Sequence, residues 1–163
     1  MNKIRVVHII ANLQPGGAEM MLLKLVSTIN RHKYEPIVIS LMNVGDIGLK
    51  IQSKSIAVYS IGARRGFFSL LNFVALIRLV CSLRPDIVHT WMYHADLLGG
   101  LAAKIVGCKR IIWGIRHTNL SLSHNKLSTI FVAKLCSLLS SWLPNLIISC
   151  SSTAKYSHEM FGY

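Results

Sequence analysis

Six short apolar runs, each of strand length and rich in β-branched residues, alternate along this chain with segments of helical length. The runs cover residues 4–10, 36–41, 56–61, 87–90, 111–115 and 146–150. Strands this apolar have no face suited to water, so their sheet needs cover on both sides. The intervening segments can supply it. Leu22, Leu25, Val26 and Ile29 recur at i, i+3, i+4 and i+7, one face of a helix ending near Asn30. Further helices are expected over residues 67–83, stopped by Pro85, and over 95–106, 127–142 and 151–161. Gly99, Gly100, Ala102 and Ala103 give one of them a small-residue face for close packing, whereas the stretch holding Gly45 and Gly48 reads as loose. The pattern predicts an α/β fold: a doubly wound, Rossmann-like, mostly parallel sheet with helices on both faces. At 163 residues the chain accommodates one such domain, residues 1–163, and not two.

Composition narrows the function. An apolar fraction of 52% with no low-complexity segment excludes intrinsic disorder. The most apolar stretches, 66–83 and 127–150, are interrupted by Arg78 and by Lys134 and Pro144, so neither reads as a spanning helix. Lys3 and Arg5 precede a short apolar run, but His8 and Asn12 break it and no small-residue cleavage site follows, so no signal peptide is read. Cys81, Cys108, Cys136 and Cys150 lie far apart, with no C-x-x-C pair and no histidine at metal spacing. Buried free thiols in a reducing, cytoplasmic setting are expected, and no metal. The 18 Lys and Arg exceed the 6 Asp and Glu by 12, yet they are scattered singly or in pairs, so no nucleic-acid partner is expected.

Ligands of open α/β sheets sit outside the carboxyl ends of the strands, which selects the loops 12–19, 91–96 and 116–124. In the first, Gly16 and Gly17 precede the first helix, where free N–H groups and the helix dipole favour a phosphate; a simple tight turn has the same composition. G-x-G-x-x-G, an acid after the second strand and G-x-x-x-x-G-K-[ST] are all absent, which argues against NAD enzymes and P-loop NTPases. The second loop and the strand before it gather His89, Trp91, Tyr93, His94 and Asp96, hydrogen-bonding groups with flat apolar faces that suit a sugar. His89 is expected to point into the sheet and His94 into the pocket, and Asp96 suits the cap of the next helix equally well. The third loop offers Arg116, His117, Thr118 and Asn119, which can hold a phosphate or orient a hydroxyl, or else cap their own loop with Arg116 solvated. Arg64, Arg65, Phe67 and Phe68 suit contact with an anionic bilayer, or the solvated start of a buried helix.

The stretch His8-Ile9-Ile10-Ala11-Asn12-Leu13-Gln14-Pro15-Gly16-Gly17-Ala18-Glu19 resembles the opening of the N-terminal domain of family 4 glycosyltransferases, retaining enzymes of the GT-B fold. Residues 85–99 and Trp113-Gly114-Ile115-Arg116-His117-Thr118 resemble the middle of that domain, and residues 147–163 its sixth strand and following helix. The likeness therefore spans the chain. It implies that Gly16 and Gly17 lie near the donor pyrophosphate and that His117 is catalytic, beside the transferred sugar and the acceptor. It places Tyr93, His94, Asp96, Arg116, Thr118 and Asn119 on the acceptor side, and a membrane-facing segment at residues 64–68. The implied reaction moves a sugar from a nucleotide-sugar, which is a substrate rather than a cofactor, to a glycan or lipid-linked acceptor in surface polysaccharide assembly, peripherally on the inner face of the membrane. The family's C-terminal donor domain has no counterpart in these residues, so the chain is expected to be the acceptor-side half, inactive alone. A fragment of a longer transferase, a half paired with a separate donor-domain subunit, and a non-enzymatic acceptor or membrane adaptor all fit.

Overall fold

A computed structural model describes residues 3–64, 66, 68–117 and 127–163. Strands β1 (Ile4–Ile10), β2 (Tyr34–Ser40), β3 (Ala57–Ser60), β4 (Ile87–Trp91), β5 (Ile111–Ile115) and β6 (Leu146–Ser149) form one parallel sheet in the order β3-β2-β1-β4-β5-β6. Helices α1 (Gly17–Thr28), α2 (Gly45–Gln52), α3 (Leu70–Leu83), α4 (Tyr93–Ile105), α5 (Leu127–Leu139) and α6 (Ser152–Phe161) alternate with them. The chain thus forms the expected doubly wound α/β architecture.

Strand register divides the sheet into two faces. Val7, Val88 and Ile111 align across β1, β4 and β5, with Ile9, Thr90 and Trp113 one pleat further on. This face packs against Leu76 and Val80 of α3, Ala102 and Ala103 of α4, and Ala133 and Cys136 of α5. On the other face, Ile10, Val38 and Trp91 pack against Leu22 and Val26 of α1 and Ile47 and Ile51 of α2. Hence α1 and α2 cover one side of the β1–β2 half, and α3, α4 and α5 cover the opposite side.

Close packing of α4 follows from its glycines. A Cβ on Gly100 would lie 2.8 Å from Trp113 Nε1 and 3.0 Å from Leu143 Cδ2, and one on Gly99 would lie 3.0 Å from Thr90 Cγ2. Alanine is about 1 kcal/mol better than glycine in a helix interior, yet overpacking a core costs about 1–3 kcal/mol. Gly100→Ala is therefore expected to lower stability by about 1 kcal/mol, measured by urea unfolding; a stabilised variant would show that α4 can move away from the sheet.

Several boundaries differ from expectation. Residues 45–52 are helical rather than loose. The two glycines there fit the helix against the loop after β1: a Cβ on Gly45 would meet the Leu13 carbonyl oxygen at 2.5 Å, and Ile47 N–H donates to that oxygen at 3.0 Å. α3 starts at Leu70 rather than Phe67 because Ser69 and Asn72 form a reciprocal capping box. Phe68 lies just before that cap and packs half-buried against the core, as does Phe73 in the first turns. α4 starts at Tyr93 instead of Ala95. All four cysteines are free, but only Cys136 is buried; Cys81 and Cys150 are exposed, contrary to expectation. No helix among the described residues is long and apolar enough to cross a membrane.

Candidate functional site at the carboxyl ends of β1, β4 and β5

The strand order reverses between β1 and β4, so the loops after these strands diverge and leave a crevice at their carboxyl ends. Met92, directly after β4, has φ +71° and ψ 156°, a region that costs a residue with a Cβ about 1–3 kcal/mol. It is held there from both sides: Met92 N–H donates to the Gly114 carbonyl at 3.1 Å, and its own carbonyl accepts from Asp96 N–H at 2.8 Å. Met92→Gly should relieve the strain and raise stability by about 1 kcal/mol. A lower thermal midpoint for that variant would refute stored strain at this turn.

Behind Met92, register brings His8 opposite His89 and Ile10 opposite Trp91, and sets Gly114 beside Trp91. The His8 and His89 rings lie 5.3 Å apart and both are buried. The Trp91 indole N–H points to His8 Nδ1 at 3.4 Å, so that nitrogen is the acceptor and His8 Nε2 carries the proton. Burial lowers the His8 pKa to about 3 and the His89 pKa to about 4, with the neighbouring His89 adding to the effect on His8 and the Arg116 charge adding to that on His89. Gly114 leaves room for this arrangement, since a Cβ there would sit 3.1 Å from His89 Nε2 and 2.9 Å from the Thr90 carbonyl oxygen. The Arg116 guanidinium then lies over the Trp91 ring, 4.4 Å from its centroid, a cation–π contact that holds the charge at the rim of the sheet.

His117 follows at the end of β5, half-buried, its ring stacked on Tyr93 at 6.2 Å between centroids. Tyr93 is buried and its hydroxyl lies 2.7 Å from His158 Nε2. His158 Nδ1 lies 2.7 Å from the Ala154 carbonyl oxygen, which can only accept. Nδ1 therefore carries the proton, Nε2 accepts from Tyr93, and the phenol is fixed as the donor. His158 also lines a cleft of about 450 Å³ at the carboxyl ends of β5 and β6, with Ser149, Ser151, Lys155 and Tyr163.

Not all of the remaining expected residues meet at this centre. His94 is half-buried in the first turn of α4, and burial lowers its pKa. Asp96 neither caps α4, whose cap position is Met92, nor lines an open surface: it is fully buried. Its Oδ1 lies 2.6 Å from Thr90 Oγ1, and burial raises its pKa to about 7 against the hydrogen bonds that lower it. Thr90 Oγ1 is also 3.2 Å from the Ile112 carbonyl oxygen. A protonated Asp96 can donate to Thr90, which then donates to Ile112; ionised, Asp96 Oδ1 accepts a hydrogen bond from the Thr90 hydroxyl instead.

Gly16 is the cap residue of α1 and Gly17 its first residue, both exposed. The buried Glu19 carboxylate occupies the space a Gly16 Cβ would fill, so an acid already sits at the helix N-terminus where a phosphate was expected. Arg64 is exposed in the connection between β3 and α3. Thr118, Asn119, Arg65 and Phe67 lie outside the described residues. His158 emerges as central without having been singled out, through a pairing with Tyr93 across 65 positions that no local pattern marks, while Trp91, grouped by sequence among the flat faces for a sugar, is buried and carries the Arg116 guanidinium. Among the described residues no group of three or more His, Cys, Asp or Glu could hold a metal ion.

HepE from Anabaena, solved in complex with UDP and glucose, superposes with a TM-score of 0.78 at 16% identity, over 98% of this chain and 41% of HepE. MurG from Acinetobacter baumannii gives 0.63 at 16% identity, over 92% of this chain and 42% of MurG. The lipopolysaccharide outer core galactosyltransferase WaaB gives 0.64 at 18% identity, over 98% of this chain and 43% of WaaB. The chain thus spans less than half the length of these enzymes, and identities this low establish the fold alone. No curated protein matches its sequence. Residues 15–163 match the family described as Glycosyltransferase Family 4, and together with a fold like that of the N-terminal domain of GT-B transferases this shows that the chain belongs to glycosyltransferase family 4.

Proposed function

We propose that this chain is the acceptor-side half of a glycosyltransferase that moves a sugar from a nucleotide-sugar to a glycan or lipid-linked acceptor in surface polysaccharide assembly, peripherally at the inner face of a membrane. The observation that carries the reading is the convergence of His117, Arg116 and the strained Met92 turn at the reversal of strand order. An acceptor hydroxyl needs a positioned group to orient it and share its proton, a role for the His117 imidazole. Arg116, anchored on Trp91, offers a fixed positive charge to a phosphate. Flat rings and polar edges around them suit a sugar. Gly16 and Gly17 would meet the donor pyrophosphate, provided the Glu19 carboxylate turns aside.

Transfer requires a donor-side domain to place and activate the leaving nucleotide. The binding half is tested by saturation-transfer NMR of the chain with soluble glycan fragments, where His117→Ala should weaken binding. The catalytic half is tested by nucleotide release from UDP-sugars, expected only when the chain is fused to the donor-side domain of HepE. Turnover by the chain alone would sink the half-site assignment, and no glycan binding would sink the acceptor role.

A further inference from the structure

The end of β5 sends its side chains to opposite sides of the sheet. Arg116 lies over Trp91, which packs with α1 and α2, whereas His117 stacks on Tyr93, which belongs to the cluster under α3, α4 and α5. The cleft of about 450 Å³ opens on the His117 side. Ile115, two residues before His117, forms part of it beside Ser149, its register partner on β6. Two residues of strand span about 7 Å, so the cleft begins within about the width of one pyranose of the imidazole. Its floor is flat and without charge. Ile115 and His158 are both buried there, the two ring nitrogens of His158 are already engaged, and Tyr163 meets that ring edge-on at 5.0 Å between centroids. Burial lowers the His158 pKa, so the imidazole stays neutral.

The rim is polar and balanced in charge. Lys155 and Glu159, both largely exposed, form a pair of opposite sign 3.7 Å apart. Ser151 Oγ already accepts from Ala154 N–H at 3.1 Å, which leaves its own proton to donate. Donors and acceptors thus stand together over an apolar floor. An anion would meet Glu159, a cation would meet Lys155, and an apolar ligand would strand the serine hydroxyls. A sugar ring, with hydroxyls that both donate and accept and C–H patches between them, satisfies all of these groups. We infer that this cleft is a subsite for a second, uncharged sugar unit, so that the acceptor presented to His117 is at least a disaccharide. The inference rests on the acceptor reading proposed above and adds the length and charge of the acceptor.

The test is NMR titration of the whole chain with methyl β-glucoside, methyl β-galactoside, methyl β-cellobioside and methyl β-lactoside. Both disaccharides are expected to bind about tenfold tighter than the monosaccharides, the gain of two hydrogen bonds, and to shift the amides of Ser149, Ser151 and Lys155 together with the His117 ring. Lys155→Ala/Glu159→Ala should remove that gain and leave monosaccharide binding and far-UV circular dichroism unchanged. Should that variant fail to fold, Ser149→Leu, which fills the cleft from β6, is expected to have the same effect. Equal affinity for one and two sugars, with His117 shifted and the cleft amides unmoved, would overturn the subsite and leave the acceptor role standing. No binding of any of the four would overturn both. Tighter binding of cellobiouronic acid that added salt abolishes would overturn the uncharged assignment.

Discussion

Acidification from pH 6.5 to 4.5 is expected to remove about 3 kcal/mol of folding stability, read as a falling urea midpoint. His8 stays neutral in the folded chain down to about pH 3 and His89 down to about 4, burial being the first cause for both. Unfolded, each takes up its proton near pH 6.5. Between those values the unfolded state binds more protons, so stability is full above pH 6.5 and is lost as pH falls, by about 1.4 kcal/mol per pH unit for each histidine. Asp96 acts in the opposite sense. Folded, it keeps its proton to about pH 7; unfolded, it ionises near 4, so over the same interval the folded state holds the extra proton. One histidine contribution is offset, leaving about 1.4 kcal/mol per unit, or about 3 kcal/mol over two units. His94 and His158, both shifted down by burial, act in the direction of His8. Asp96→Asn removes the opposing contribution and should nearly double the loss over the interval. An unaltered slope in that variant would mean that Asp96 is ionised in the folded chain at neutral pH.

In a transferase completed by a donor-side domain, His117→Ala should lower turnover about 100-fold while shifting the urea midpoint little. The ring is half-buried and its neighbour Tyr93 is already held from the far side by His158. Tyr93→Phe makes the informative contrast. It leaves His158 Nε2 buried without its donor, which costs about 1–3 kcal/mol, and should therefore be read first in stability. Equal activity in the His117 variant would remove that residue from the chemistry. A loss in both activity and stability would instead assign it to the framework of the Tyr93 stack.

Much of this was legible in residue order. The strand runs were readable because a doubly covered parallel sheet leaves continuous apolar segments, and His117, Arg116 and His94 were placed at strand ends by topology alone. Other features depend on distance in sequence. Phe68 reads as an exposed aromatic until the Ser69–Asn72 box fixes where α3 begins. The helical nature of residues 45–52 was hidden because Gly45 and Gly48 look like breakers, whereas they are the residues that let α2 approach Leu13. Asp96 looked equally like a cap or a ligand, and its burial under Thr90 follows only from the one-residue strained turn at Met92. The Trp91–Arg116 contact needs β4 and β5 already paired, and the Tyr93–His158 pair needs α4 and α6 docked.

The strand order also sets a timetable for synthesis. β1 finds β2 about 30 positions downstream, where Val6 pairs with Pro36, but its other flank waits until Val6 can meet Ile87. During that wait an interior strand is temporarily an edge, with unpaired backbone groups and the apolar side chains of Val7 and Ile9 uncovered by α3 and α4. Non-local parallel pairing is slow because loop-closure entropy is lost before contacts repay it. The nascent chain is thus most prone to aggregate after β3 has joined the sheet and before β4 has emerged, and ribosome pausing between those points would lengthen its exposure.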